Sequence, residues 1–329
     1  MAKILVTGGA GFIGSHTAKL LNRAGHRCVV YDNLSRGHLE FVKWGPFRQG
    51  DVRDGGALCR LLDMEKIEAV IHFAALAYVG ESVIAPGVYY DVNVGGTCAL
   101  LQALADHGLD KVVFSSTCAV YGELSDKSIG ELTKPEPINP YGITKLACER
   151  MLSDFERAYG MRHVCLRYFN AAGADPDGEV GEDHMPETHL IPLVLDAAMG
   201  RRHAVSIFGD DYKTADGTAV RDYIHVCDLA AAHVRALDYL LAGGPSRTLN
   251  LGSGRGASVA EVIDEARRVT GRPISVVQAP RRPGDPARLV ADPGAAGEVL
   301  SWSCRRSDLG TILRDAWRWH EQRFSGRVV

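Results

Sequence analysis

Long apolar runs, paired cysteines and an excess of charge of either sign are all missing from this 329-residue sequence. No stretch approaches the roughly 20 consecutive apolar residues that a membrane span needs, so no membrane partner is expected. The eight cysteines stand singly at 28, 59, 98, 118, 148, 165, 227 and 304, with no C-x-x-C pair and no Cys/His cluster at zinc spacing. That pattern speaks against a zinc module and a disulfide framework. Several of these cysteines fall in apolar runs, where they act as small core residues, and a reducing, cytoplasmic location is expected. Met1 leads directly into a strand-like run without the features of a signal sequence, in line with that expectation. Lysine and arginine number 37 against 40 aspartate and glutamate, a formal charge of −3. With no global basic field, nucleic acid is not an expected partner. Internal repeats and low-complexity tails are absent too. What remains is an ordinary globular composition, 46% hydrophobic and 23% charged, enough to bury a core in one large domain or two modest ones.

The most informative stretch is Ile4 to Gly14, in which a short apolar run meets glycines at 8, 9, 11 and 14 before helical periodicity sets in from Ile13 to Ala24. Glycine admits positive φ and lets a pyrophosphate approach bare amides at a helix N-terminus, where the helix dipole favours negative charge. The spacing G-x-G-x-x-G becomes specific in this setting, with a strand before it, a helix after it, and Asp32 closing the next apolar run. Asp32 lies 18 residues beyond Gly14, near the spacing of about 20 expected of a carboxylate that binds an adenosine ribose. A carboxylate there favours NAD over NADP, although Arg36, four residues on, is the kind of residue that holds a 2′-phosphate.

Apolar runs at Ile4–Thr7, Cys28–Asp32, Phe47–Asp51, Ala69–Ala74, Lys111–Ser116 and His163–Tyr168 alternate with helical segments. That alternation predicts an α/β fold, a doubly wound parallel sheet of Rossmann type covered on both faces. Ligands bind such sheets beyond the carboxyl ends of the strands, which points to Asp51, Val52, Phe73, Ala74, Ala75, Ser115–Thr117, Tyr168 and Asn170. After Asn170 the chain turns polar, and a second, smaller α/β domain is expected from 173 to 329, with residues 222–251 returning to the first domain of 1–172. Glu182, Asp183 and His184 are three adjacent loop residues that cannot all face one ion, so no metal is expected there. Gly252–Gly256 has no acidic partner downstream and reads as a loop.

Pro140-Tyr-Gly-Ile-Thr-Lys145 carries the chemistry. Asn139 suits an N-cap and Pro140 the first helical position, so Tyr141 and Lys145 fall at i and i+4 on one face. A tyrosine of ordinary pKa, about 10, needs a neighbouring positive charge to act as a base. Ser116 and Thr117, at the end of a preceding strand, can hydrogen-bond a substrate hydroxyl.

Together with Tyr31-Asp-Asn33, Gly50-Asp-Val-Arg53, His72-Phe-Ala-Ala75, Val79-Gly-Glu-Ser82, Asn93-Val-Gly-Gly-Thr97 and Ser115-Ser-Thr-Cys-Ala-Val-Tyr-Gly122, these motifs resemble the extended short-chain dehydrogenase/reductases. Arg167-Tyr-Phe-Asn-Ala-Ala-Gly-Ala174, Asp216–Val226 and Ala279-Pro-Arg-Arg-Pro-Gly-Asp285 narrow the resemblance to UDP-glucose 4-epimerases, over essentially the whole chain. The resemblance implies NAD-dependent interconversion of UDP-glucose and UDP-galactose through a transient 4-keto sugar. Tyr141 would take the proton from the sugar 4-hydroxyl, Thr117 would hydrogen-bond that hydroxyl, and Lys145 would bind the nicotinamide ribose and lower the tyrosine pKa. NAD would be held by Gly8, Gly11, Phe12, Ile13, Gly14, Asp32, Asn33, Asp51, Val52, Phe73, Ala74, Ala75, Asn93, Ser115, Tyr141, Lys145 and Tyr168. The UDP-sugar would be held by Thr117, Tyr141, Asn170, His189, Leu190, Phe208, Arg221, Arg282, Asp285 and Leu289, its diphosphate by guanidinium groups suited to bidentate contact. A homodimer is expected from the family and from the habits of soluble enzymes.

The departures from the family pattern matter as well. Thr117 replaces a common serine and keeps the hydroxyl. His189 stands where some members have a substrate-touching asparagine, and Tyr78 where some have a lysine near the cofactor diphosphate. Leu289 takes a position whose bulk limits the space around sugar C2, so UDP-N-acetylglucosamine is expected to fit. Dehydratase and decarboxylase relatives carry an acidic residue two places after the active-site Ser/Thr. Here that place is Ala119. The alternatives left open are a 4-epimerase of UDP-N-acetylglucosamine, UDP-xylose or UDP-glucuronate, and a non-catalytic NAD-binding regulator, for which an intact Thr117, Tyr141 and Lys145 would have no use.

Overall fold

The computed structural model describes residues 1–122, 128–282 and 285–325. Strands β1 (Lys3–Thr7), β2 (Arg27–Asp32), β3 (Phe47–Gln49), β4 (Ala69–His72), β5 (Lys111–Thr117) and β6 (Arg162–Tyr168) alternate with helices α1 (Phe12–Arg23), α2 (Gly55–Glu65), α3 (Val79–Ile84), α4 (Pro86–Tyr89), α5 (Gly96–Asp106) and α6 (Pro140–Tyr159). The second half holds β7 (Asn170–Ala172), α7 (Leu190–Ala198), β8 (Val205–Phe208), β9 (Val220–His225), α8 (Val226–Leu241), β10 (Arg247–Leu251), β11 (Gly256–Ser258), α9 (Val259–Thr270), β12 (Val276–Ala279), β13 (Arg288–Leu289), α10 (Gly294–Leu300) and α11 (Leu309–Phe324).

Among the described residues the main sheet runs β3-β2-β1-β4-β5-β6-β10, parallel throughout. This is the doubly wound arrangement predicted from the alternation. Successive side chains of a strand point to opposite faces, which splits the core in two. Ile4 and Val6 pack with α1, α8 and α10 on one face, whereas Leu5, Val29 and Phe114 pack with α2, α5 and α6 on the other. The switch in strand order between β1 and β4 opens the crevice in which such sheets hold ligands. A third core gathers α7, α9 and α11 beside β8, and a four-stranded sheet joins β7, β9, β11 and β13.

The segment near 222–251 places β10 against β6 and α8 against α1. Ala296, Leu300 and Trp302 also pack into the first core, so the chain crosses back once more after that segment. The Gly252–Gly256 loop wraps the Asp222 carboxylate, which accepts from Ser253, Gly254 and Ala291 amides. Its last residue begins β11. No helix among the described residues is long and apolar enough to cross a membrane.

Candidate active site

The glycine turn sits where β1 meets α1. Gly8 has φ +69°, and a Cβ there would lie 2.6 Å from the Ala74 amide nitrogen; a Cβ on Gly14 would lie 2.3 Å from the Gly8 carbonyl oxygen. The first position needs glycine for its dihedral and its closeness to Phe73–Ala74, the second so that α1 can pack on the turn. Helix α1 begins at Gly11 with no side chain to cap it, leaving its amides and the positive end of its dipole for an anion. At the end of β2, the Asp32 carboxylate accepts the Ala10 amide at 3.0 Å and the Leu34 amide at 2.8 Å, one on each oxygen. Lone pairs remain on both oxygens for ribose hydroxyls. Burial raises the Asp32 pKa, and its backbone donors hold it back. These features fit a dinucleotide.

Asn33 donates to Asp51 at 3.0 Å, and the Val52 side chain lies under Gly96. Arg36, by contrast, gives its guanidinium to Glu81 and to the Met185 carbonyl, each at 2.7 Å. Its cation is thus engaged away from Asp32, which leaves the NAD reading stronger. Asn93 bonds both backbone groups of Leu76 and donates to Thr144 at 3.1 Å, tying the loop after β4 to helix α6.

Helix α6 starts as the sequence predicts, with Asn139 accepting from the Gly142 amide at 2.9 Å and Pro140 in the first turn. Tyr141 and Lys145 are both buried on one face, beside the end of β5. The Lys145 ammonium donates to the Ser115 carbonyl at 2.8 Å and lies 4.9 Å above the Phe114 ring. Tyr168 pairs its hydroxyl with that of Ser115 at 2.5 Å. Burial, with Tyr168 adding to it, pushes the Tyr141 pKa well above the usual tyrosine value, and a hydrogen bond with Thr117 pulls it partly back. Burial likewise brings Lys145 down to about 8. Both groups are out of water and the ammonium is drawn to a carbonyl, so burial governs the Tyr141 pKa in the chain alone.

The second half supplies the opposite wall. Arg221 on β9 pairs with Asp285, and Arg282 stacks 3.9 Å over the Phe208 ring at the end of β8. Leu289 pairs with Arg221 across β13 and β9 and packs with Val120, Tyr121 and Phe169. Cys118, the residue after Thr117, packs against the same cluster, which joins the second half to the end of β5. Asn170 opens β7 beside Tyr223, and Leu190 is the first residue of α7. Pro283 and Gly284 of the Arg282–Asp285 motif lie outside the described residues.

His189, half exposed at the N-cap of α7, places Nδ1 2.5 Å from Glu182. His184 lies 3.4 Å from the same carboxylate and 3.6 Å from Glu187. Asp183 turns away toward Arg323, as alternating loop residues must. These four ligand-type groups lie within 4.8 Å of one another. The 2.5 Å separation is that of an ion pair, shorter than the roughly 3.3 Å between two donors each about 2 Å from a tetrahedral ion. The His184 ring stands edge-on to Phe12 and Tyr78, next to the start of α1.

The model of the NAD dependent epimerase/dehydratase family matches residues 4–252. The chain belongs to that family. The UDP-glucose 4-epimerase of Rhizobium meliloti (strain 1021) is 54% identical over 323 residues, 98% of each chain. The crystal structure of UDP-glucose 4-epimerase from Brucella ovis in complex with NAD superposes with a TM-score of 0.94 at 54% identity, covering 96% of this chain and 98% of that one. The UDP-Glc/GlcNAc 4-epimerase from Campylobacter jejuni superposes at 0.86 with 40% identity, covering 98% and 100%. On these matches the chain is an NAD-dependent isomerase. Sequence reasoning missed the buried partners behind its site: Glu149, Arg167, Asn250 and the Glu182–His184–Glu187 group. Glu149 follows Lys145 by another four residues and Arg167 precedes Tyr168, so the spacing itself was a signal.

Proposed function

We propose that this chain interconverts UDP-glucose and UDP-galactose through a transient 4-keto sugar, with Tyr141 as the base. The observation that carries the reading is the burial of Thr117, Tyr141 and Lys145 together where the end of β5 meets the start of α6, with the Ala119 amide bonded to the Thr117 hydroxyl at 3.1 Å and the Lys145 ammonium to the Ser115 carbonyl at 2.8 Å. When bound, NAD supplies the acceptor and then the donor of one hydride. The chain's residues do the rest. Thr117 orients the sugar 4-hydroxyl, and Tyr141 accepts its proton. Tyr141 is held neutral until a further positive charge enters the site, so the base is active only with cofactor in place. Lys145 adds its charge from one helical turn away. Arg221 and Arg282 hold the diphosphate, with Asp285 orienting Arg221. Return of the proton from Tyr141 to the 4-oxygen, once the sugar has presented its other face, completes the epimer.

In this reading residues 1–172, with the 222–251 return, serve the cofactor, and 173–329 serve the substrate; 326–329 lie outside the described residues. Leu289 leaves room at sugar C2 for an acetamido group, as the two-substrate name of the Campylobacter jejuni relative also suggests for such a pocket. A second copy of the chain is a partner in this reading. Val79, Val83, Ile84, Val88 and Tyr90, on α3, α4 and the turn after them, expose apolar side chains over one region, which supports a homodimer. A cytoplasmic location goes with the free cysteines.

The test is to incubate the purified protein, without added cofactor, with UDP-galactose and separately with UDP-N-acetylgalactosamine, and to follow the 4-epimers by chromatography. Both are expected to convert, Tyr141→Phe is expected to retain NAD while losing activity by 100-fold or more, and light scattering is expected to give twice the chain mass. An active Tyr141→Phe would overturn the mechanism. Equal or better turnover of the N-acetylated sugar by Leu289→Tyr would overturn the open pocket.

A further inference from the structure

Behind the reacting groups lies a buried ion pair that the epimerisation reading does not use. Tyr141, Lys145 and Glu149 follow one another at i, i+4 and i+8 on α6, so the three share a face. The Glu149 carboxylate accepts the Ser116 hydroxyl at 2.5 Å on Oε1 and the Arg167 guanidinium on both oxygens, at 2.9 and 2.5 Å. Arg167 also donates to the Tyr121 hydroxyl at 3.0 Å, and Tyr121 donates in turn to Asn250 at 2.7 Å. Ser116, Arg167, Glu149 and Asn250 are all buried.

The placement of these partners is what matters. Ser116 precedes Thr117 on β5, Tyr121 follows Thr117 by four residues, and Arg167 precedes Tyr168 on β6, where Ser116 and Arg167 are register partners. The side chains of Phe114, Ser116 and Arg167 point to the α6 face, while those of Ser115 and Tyr168 point to the other. One carboxylate therefore ties three elements together at the edge where Thr117, Tyr141 and Lys145 meet. We propose that Glu149, through Ser116 and Arg167, is a positioning residue that holds Thr117, Tyr141 and Lys145 in register for proton transfer. This rests on the assignment of Tyr141 as the base. A fork of two N–H bonds to one carboxylate fixes direction as well as distance, and only a fixed α6 keeps a phenol within reach of a hydroxyl on β5.

Glu149 acts on Lys145 by charge as well. Around that ammonium stand Cys148 and Glu149 on α6, the Phe114 ring and Ser115 carbonyl on β5, Cys165 on β6 and His72 at the end of β4, with Tyr141 one helical turn before it. Burial lowers Lys145; Cys148, Glu149 and Cys165 oppose it. Removing the Glu149 charge while Arg167 stays positive should let Lys145 lose its proton at lower pH.

Three variants separate positioning from folding. Ser116→Ala deletes one donor and no charge. Glu149→Gln deletes the charge. Glu149→Met with Arg167→Met removes the pair together, a replacement that buried pairs commonly tolerate. Expected are NAD content and melting temperature near wild type for Ser116→Ala and the double variant, with KM unchanged and kcat down several-fold for the first and about 10- to 100-fold for the second. In Glu149→Gln the alkaline limb of kcat should move to lower pH, and in Ser116→Ala it should stay. The charge of Lys145, followed by NMR of the Nζ-labelled holoenzyme against its Lys145→Met variant, needs no turnover and should show Lys145 losing its proton at lower pH in Glu149→Gln. Wild-type kcat in the double variant, or kcat falling only in step with lost NAD and stability, would overturn the proposal. A wild-type protein inactive on UDP-galactose would instead bring down the functional reading, while the Lys145 shift still decides this one: absent, the proposal fails.

Discussion

The ionisable groups nearest the start of α1 show how a few residues set a pH window. Burial alone would lower the His184 pKa, but the Glu182 and Glu187 carboxylates push it up to about 10. Glu182 moves the other way, since the His189 and His184 charges outweigh its burial and lower it. A histidine raised in the folded state contributes stability that is complete below its unfolded value near 6.5 and lost as pH rises through about 10. A lowered glutamate contributes stability that is complete above its unfolded value near 4.5 and lost toward lower pH. Both contributions are whole only between those limits, from about pH 4.5 to 6.5. His184→Gln should therefore reduce unfolding stability by about 1–3 kcal/mol at pH 6, and the gap to wild type should narrow at pH 9.5. Urea titrations at the two pH values measure it; a gap that is the same or wider at pH 9.5 would refute the ion-pair account. Nothing in the sequence order of Glu182, Asp183 and His184 shows this, because two of the four partners arrive only when the loop turns back at Glu187 and His189.

Among elements, α6 carries the most chemistry and tolerates the least change at its start. Alanine is favoured over glycine inside a helix by about 1 kcal/mol, so Gly142→Ala ought to stabilise α6. The surroundings reverse the sign: a Cβ at 142 would sit 2.4 Å from the Ala119 carbonyl oxygen, a backbone atom that cannot yield cheaply. The Ala119 amide bonds the Thr117 hydroxyl at 3.1 Å, so the displacement would reach the hydroxyl proposed to orient the substrate. We expect Gly142→Ala to lower both the melting temperature and kcat, the latter about 10-fold or more. Gly55→Ala, at the open first turn of α2 where nothing lies within 4 Å, should be neutral or slightly stabilising. A more stable, fully active Gly142→Ala would show that β5 yields after all. The start of α6 was legible because Asn139 and Pro140 are local signals, and the main sheet was legible because each parallel strand is a short apolar run. Not read were β7, β11 and β13, of two or three residues, and the four-residue pair β8 and β12, whose pairing comes from distant segments and leaves no periodicity. The Arg221–Asp285 pair joins residues 64 apart in sequence, and although the family resemblance singled out each of them, it did not pair them.

At the scale of the whole molecule, one buried lysine ties the glycine-turn helix to the start of the second half. Lys19 on α1 is about 2% exposed and meets Asp175 at 2.6 Å, Asp177 at 2.8 Å and Glu179 at 2.5 Å. Asp177 and Glu179 keep much of their surface in water, so their pairs are screened and contribute little. Asp175 is as buried as Lys19, and it also accepts the Glu179 amide, so this single pair dominates the tie. Breaking a buried pair leaves an uncompensated charge, at a cost of about 3–5 kcal/mol. Lys19→Met should thus lower the melting temperature by roughly 5–10 °C, given about 2 °C per kcal/mol for a chain of this size. Replacing Asp175 with Asn in the same chain should restore part of that loss, since it removes the stranded charge rather than adding a contact. Because α1 presents the first amides of the proposed dinucleotide site, Lys19→Met should also retain less NAD than the double variant. Calorimetry with cofactor content measured on the same samples tests this. If the double variant melts below Lys19→Met, the lysine supports the fold through its packed methylene stem, and the charge pair is incidental.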